Sequence, residues 1–289
     1  QRSGVSRSMI SLIERGEAEG PSNIDSTRFG ANIGAGLICA DLTELAGALA
    51  TAAEADGRFS IRKWGNEGMN NLTPLWLLKF LPNMLSCHVT IVHDAQAPSN
   101  TITCSEASSH LAIGEAFRTI ARGDADVCMC GGAESKLNPM GLMRQELLER
   151  LSHQHNEHPE KACRPFDARR DGLVIGEGAA MFVVEEAARA RRRGARALAT
   201  VAGWASTEDA YRVTAPRPDG AAGRAAMVRA VEKARIARDA IGWVNAHGTG
   251  TPLNDPAEAT AIRETFGAHA DRLPVSSIKG AVGHLMAAA

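Results

Sequence analysis

The order of hydrophobic segments is the feature of this chain that most restricts its fold. Short apolar runs of strand length alternate with longer stretches of helical period along most of the sequence. That is the pattern of an α/β protein with a buried sheet. Strands are expected at 29–34, 88–93, 100–104, 126–131, 180–185, 199–205, 242–246 and 274–278, and helices at 41–55, 74–85, 107–122, 223–234 and 256–266. Asp41 with Glu44 three residues on, and Pro256 at a first-turn position, supply helix-start chemistry. Two polar stretches interrupt the alternation, 152–165 and 212–220, the second carrying Pro216 and Pro218. The first divides the chain into an N-terminal half, 1–165, and a C-terminal half, 166–289. The order of elements is loosely similar on either side of it, although no repeat of solenoid period is present.

Composition narrows the function. A chain of 289 residues, 44% hydrophobic, can bury a substantial core. Thirty-two Lys and Arg against 33 Asp and Glu leave a net charge of −1, with no global field to gather nucleic acid or anionic lipid. The densest basic run, 189–196, reads as the solvated end of a helix, so no nucleic-acid partner is expected. No stretch approaches the ~18 consecutive apolar residues of a membrane-spanning helix. Residues 1–28 are polar without an apolar signal core, so a cytoplasmic protein that does not enter the membrane is expected. The sequence opens at Gln1 and stops inside an apolar run, 285–289, so both ends read as cut.

Six cysteines in so long a chain form no C-x-x-C pair and no disulfide framework, and Cys128 and Cys130 read as buried thiols on one strand face. His153, His155 and His158 lack helical register and an adjacent cysteine, so no metal is expected there. Gly34-Ala35-Gly36 follows a strand but lacks the third glycine and the acidic residue of a dinucleotide fingerprint, and no cofactor is expected. Trp64, Trp76 and the Met-rich stretch through Met84 read as core or interface packing.

Chemistry concentrates in two segments. In 245–255 (NAHGTGTPLND) a strand ends in His247 and passes into a turn rich in Gly and Thr. In 276–284 (SSIKGAVGH) another strand runs into Lys279 and His284, each next to glycine. A histidine at a strand end, framed by glycines that admit close backbone approach, suits a donor aimed into a cleft. The HGTGT-x-x-ND segment and the K-x-x-x-x-H spacing resemble the β-ketoacyl-acyl carrier protein synthases, the condensing enzymes of fatty acid and polyketide synthesis. The runs 123–126 (GDAD), 131–134 (GGAE), 166–172 (FDARRDG) and 176–178 (GEG) add to the resemblance, which is firm from about Leu81 onward.

The resemblance implies a thiolase-like fold, two similar α/β halves in five layers, working as a homodimer or as a heterodimer with a ketosynthase. It implies acyl and malonyl thioesters on an acyl carrier protein as substrates. It gives His247 and His284 the role of donors to a thioester oxygen, Lys279 that of orienting the pair, Glu177 that of balancing its charge, and Thr249 and Thr251 a place beside the substrate. It also implies a nucleophilic cysteine seven residues before Ile113 and twenty-six before Gly132. Both landmarks point to position 106, which is Glu. Cys104 could serve only across a two-residue offset.

The substitution separates two half-reactions. Condensation by a ping-pong route needs a thiolate that accepts an acyl group and gives it up again. A carboxylate would form a mixed anhydride prone to hydrolysis. Decarboxylation of a malonyl group depends instead on donors to the developing enolate oxygen. An acyltransferase-family enzyme that keeps malonyl decarboxylation in preference to condensation is therefore expected. A non-catalytic chain-length-factor-like subunit of a ketosynthase dimer is the alternative. Glu106 at a helix start suits either a catalytic anion or a carboxylate that pairs with a histidine and holds the pocket together.

Overall fold

The computed structural model describes residues 24–38 and 40–289. The polar opening segment up to residue 23, and Cys39, lie outside the described residues. In chain order the elements are β1 (Phe29–Gly34), α1 (Leu42–Thr51), α2 (Ile61–Asn66), α3 (Met84–His93), β2 (Asn100–Ile102), α4 (Ser108–Ala121), β3 (Val127–Ser135) and α5 (Pro139–Leu147). They continue with β4 (Glu177–Glu185), α6 (Ala187–Arg192), α7 (Ala221–Ala234), β5 (Val244–Asn245), α8 (Asn254–Phe266), β6 (Val275–Ser276) and α9 (Lys279–Val282).

The larger sheet has the order β2-β1-β3-β4, with β1 parallel to both neighbours and β4 antiparallel to β3. All six residues of β1 are buried, as a strand covered on both faces requires. On one face Phe29, Ala31, Val127 and Met129 pack with Val89 of α3. On the other, Cys128 and Cys130 pack with Ala116, Ile113 and Ile120 of α4. Both thiols are fully buried, and burial pushes them up to about 11 and about 12. A Cβ on Gly34 would come within 2.5 Å of Ser109 N, so only glycine lets the end of β1 meet the first turn of α4 so closely. That contact fixes where α4 begins. β4 follows the polar stretch 152–165, yet it pairs with β3 along its whole length, from Val127–Glu185 to Ser135–Glu177, and completes this first sheet.

The smaller sheet joins β5 and β6 in parallel. Ala246, Ile262, Phe266 and Leu273 bury its inner side against α8, and α7 packs beside α8 with Met227 against the same cluster.

Three expected elements differ. The run 88–93 is helical, not a strand: Ser86, Val89 and His93 face inward at helical spacing while Ile91 and Val92 stand 76% and 75% exposed. The helix expected at 74–85 is a series of turns with a 3-10 segment at Leu78–Phe80. Leu75 there has positive φ, and Pro82, which lacks an N–H, precedes the start of α3. Residues 199–205 form no strand; Trp204 packs its ring against Gly114 and accepts the Lys233 ammonium over its face at 5.2 Å.

Candidate active site

Four segments converge at the ends of the two sheets. The first is the turn between β2 and α4. Ser105 there takes φ +47°, a sparsely populated conformation for a residue with a side chain. Ser108 locks the turn, its hydroxyl donating to Ser105 O at 2.6 Å and accepting from Cys104 N at 2.9 Å. The turn sends the Glu106 side chain into the cleft and leaves Cys104 exposed beside it.

The second segment is the 245–255 turn. Glu258, on the first turns of α8, accepts from the backbone N–H groups of His247 at 2.7 Å and Gly248 at 2.8 Å. Buried Asp255 accepts from Gly250 N at 3.1 Å and Phe166 N at 2.7 Å. The Thr249 and Thr251 hydroxyls lie 2.8 Å apart, and Thr249 also donates to Asp255. Both threonines are thus engaged in shaping the turn that presents His247. Ser277 fastens it to β6 by donating to His247 O and Gly248 O.

The third segment carries Lys279 and His284. Lys279 is 5% exposed, and Cys163 Sγ donates to its carbonyl at 2.8 Å. Gly283 takes φ +73°, a conformation open to glycine at no steric cost, and turns the chain so that His284 N donates to Val174 O and His284 O accepts from Gly176 N. The segment before β4 therefore seats His284. The fourth segment brings Arg150, whose Nη1 lies 3.4 Å from Glu106 Oε1.

Around Glu106 the geometry is that of an anion among donors. Its Oε2 lies 3.2 Å from His247 Nε2, and its Oε1 lies 3.9 Å from His284 Nε2. The imidazoles are perpendicular with centroids 5.3 Å apart. His284 Nδ1 accepts from Met286 N at 3.0 Å, and His247 Nδ1 faces the Lys279 ammonium at 3.4 Å. Each Nδ1 is thus an acceptor, which places the proton of each neutral ring on Nε2, the atom directed at Glu106.

Charge follows from these contacts. Burial alone would raise the Glu106 carboxyl, but the His247 hydrogen bond and the charges of His247, His284 and Arg150 bring it down to about 2. Burial holds His284 down to about 3 against the opposing field of Glu106. Burial also lowers Lys279, opposed chiefly by the charges of Glu258 and Glu106. At neutral pH the site holds a carboxylate anion facing a neutral, buried imidazole.

The ligand atoms of Glu106, His247 and His284 lie within 4.8 Å of one another, close enough to suggest a metal. The donor chemistry argues otherwise. A cation bound at Nε2 needs a lone pair there, and both rings are held with a proton on that atom. His153, in the polar loop, lies 3.2 Å from Glu146 of α5 instead.

Glu177 does not stand behind the histidines. It is exposed at the start of β4, where it accepts from Ser135 Oγ at 2.6 Å, and the carboxylate that chiefly opposes the burial of Lys279 is that of Glu258. The antiparallel register of β3 and β4 sets Glu177 opposite Ser135, and so away from Lys279. Sequence reasoning passed over Glu258 and Arg150. The first had a signal, an acid three residues past Asp255 at a helix start following the glycine turn; the second had none, because its link to Glu106 exists only through space.

Among the described residues, no helix is long and apolar enough to cross a membrane. The family model described as β-ketoacyl synthase, N-terminal domain, matches residues 16–190, and the one described as β-ketoacyl synthase, C-terminal domain, matches residues 198–289. The mitochondrial 3-oxoacyl-[acyl-carrier-protein] synthase of Arabidopsis thaliana is 40% identical over 223 residues, which cover 76% of this chain and 48% of that protein. 3-Oxoacyl-[acyl-carrier-protein] synthase 2 of Rhizobium meliloti (strain 1021) is 39% identical over 234 residues, covering 81% and 55%. The chain thus spans about half the length of the curated relatives it matches. A β-ketoacyl synthase from Burkholderia phymatum STM815 superposes with a TM-score of 0.81 at 32% identity, over 96% of this chain and 63% of that one. A type II polyketide ketosynthase, solved with its acyl-carrier protein and bound to the hexaketide, superposes with a TM-score of 0.82 at 27% identity, over 98% and 69%. With both family domains matched in order and a thiolase-like α/β fold, the chain belongs to the β-ketoacyl synthase family.

Proposed function

We propose that the protein acts on malonyl and acyl thioesters carried by an acyl carrier protein, and that it decarboxylates malonyl groups in preference to condensing them. The observation that carries this reading is the pair of Nε2–H donors on His247 and His284, facing a carboxylate where condensation would need a thiol. When the bond to the malonyl carboxylate breaks, its electron pair passes into an enolate and carbon dioxide leaves. The charge that develops on the thioester oxygen is what two fixed N–H donors stabilise. Glu106 cannot carry an acyl group as a thioester. A cavity of about 750 Å³ lined by Trp76, Phe80, Met84 and Glu134 offers acyl room. Glu134 accepts from Ala287 N, three residues beyond His284.

One observation favours a second reading, a subunit that lends an acyl tunnel to a cysteine-bearing partner: Glu106 already holds one of the two donors. β2 is an edge strand of its sheet, suited to extension across a dimer.

Carbon dioxide release from malonyl-acyl carrier protein and intact-protein mass, read on the same samples, test these readings. Decarboxylation without a stable acyl adduct is expected, and Glu106→Cys should gain acyl loading. A stable thioester on the unaltered protein would point to Cys104 and to ordinary condensation. Neither release nor loading would leave the subunit reading.

A further inference from the structure

Arg150 is held by its backbone on both sides, its N–H donating to Gln145 O at 3.1 Å and its carbonyl accepting from Leu173 N at 2.8 Å. Its guanidinium bridges two segments, Nη2 donating to Thr214 O at 2.8 Å and Nη1 reaching Glu106 Oε1 at 3.4 Å. The first bond is well made and the second is long. A guanidinium has five N–H donors in a planar fork that can take both oxygens of a carboxylate at once. Here Glu106 offers it one oxygen and gives the other to His247.

The two histidines are unequally occupied. His284 Nε2 is buried with no hydrogen-bond partner, a donor directed into the cleft. His247 Nε2 is taken by Glu106. A thioester oxygen that takes both donors finds one unpartnered, though buried, and must displace a carboxylate to reach the other. Protonation does not remove the obstacle, because the His247 hydrogen bond and the Arg150 charge help hold the Glu106 carboxyl down at about 2, ionised at neutral pH. The carboxylate therefore needs another cation. Lys279 stands on the Nδ1 side of the His247 ring, and the field of Glu258, on α8, acts on it. His110, one turn into α4, is kept below its usual range by desolvation and by the fields of His247 and Lys279, so it offers no charge. Arg150 is on the cleft side, already touching the oxygen that need not move.

We propose that Arg150 is a positioning residue that takes the Glu106 carboxylate off His247, freeing that Nε2–H for a thioester oxygen. Arg150 does not touch the reacting atoms; it acts through Glu106. The inference rests on the thioester reading of the same cleft.

The test is a double-mutant cycle on the full-length protein, read as affinity for S-acetylpantetheine, a thioester with no carboxylate to lose. Arg150→Gln is expected to weaken binding about tenfold when Glu106 is present, the loss typical of one charge-assisted hydrogen bond. In a Glu106→Gln background, where no anion has to be moved, the same change is expected to cost less than about twofold. Arg150→Lys should recover part of the loss and serves as the second variant if the first does not fold. NMR titration should show the His284 ring protonating at higher pH in Arg150→Gln, because a neighbouring cation that lowers it has gone. Equal losses in both backgrounds, or none in either, would overturn the proposal. Failure of the decarboxylation reading would look different: the acetyl thioester would bind with the coupling intact, and malonyl-acyl carrier protein would release no carbon dioxide.

Discussion

The two histidine-bearing turns are built from the same parts and end in different states. Each follows a short strand of the smaller sheet, each uses a glycine with positive φ, and each directs an Nε2–H toward Glu106. His247 sits part-buried, with Lys279 on one ring nitrogen and Glu106 on the other, and its backbone N–H is given to Glu258. His284 is 1% exposed, held at Nδ1 by a backbone N–H, with its second nitrogen unpartnered. Charged side chains meet the first histidine at both ring nitrogens, whereas burial is the main cause that holds the second down, against the field of Glu106. The contrast teaches that equivalent motif positions need not be equivalent donors: one ring is occupied and adjustable, the other rigid and waiting.

Removing the waiting donor gives the largest expected effect. His284→Ala should lower malonyl decarboxylation by about a hundred- to a thousand-fold, as loss of one preorganised oxyanion donor does. His247→Ala should cost less, about ten- to a hundred-fold, because that donor is shared with Glu106. Steady-state carbon dioxide release measures both, and the reverse order would break the comparison.

The network behind His247 comes next. Glu258→Ala removes the acceptor of two backbone N–H groups and the carboxylate opposing burial of Lys279, and should destabilise the turn by about 2 kcal/mol. Glu177→Ala, an exposed change, should stay within about 0.5 kcal/mol. Denaturant unfolding separates them. Equal effects would return the charge-balancing role to Glu177.

The smallest effect is the pH dependence of stability. His284 and Glu106 both titrate below their unfolded values, so the unfolded chain binds more protons in acid, and folding stability falls as pH drops. The His284 contribution is lost from about pH 6.5 down toward its folded value of about 3, and that of Glu106 from about 4.5 toward about 2. Melting curves across this range should show the decline, and Glu106→Gln should flatten its most acidic part. A melting temperature unchanged between pH 7 and pH 4, at the ordinary precision of about one degree, would contradict the buried neutral state of His284.

The parts whose chemistry is local were legible from the residues alone. Alternating apolar runs place β1, β3 and β4 around the first core, and helix-start residues place α1 and α8, because each signal is written within a few neighbouring residues. The glycine turns of His247 and His284, and the acid at position 106, were legible in the same way. The rest was set by packing in three dimensions. The run 88–93 is short and apolar enough for either state, and packing of Val89 against Phe29, Ala31, Val127 and Met129 of the larger sheet selected a helix. The charge behind the histidines belongs to Glu258 because α8 folds over that turn, while β-sheet register carries Glu177 to Ser135. Arg150 reaches Glu106 across 44 residues. Electrostatic partners are chosen by distance through space, and separation along a chain does not encode that distance until the backbone has folded.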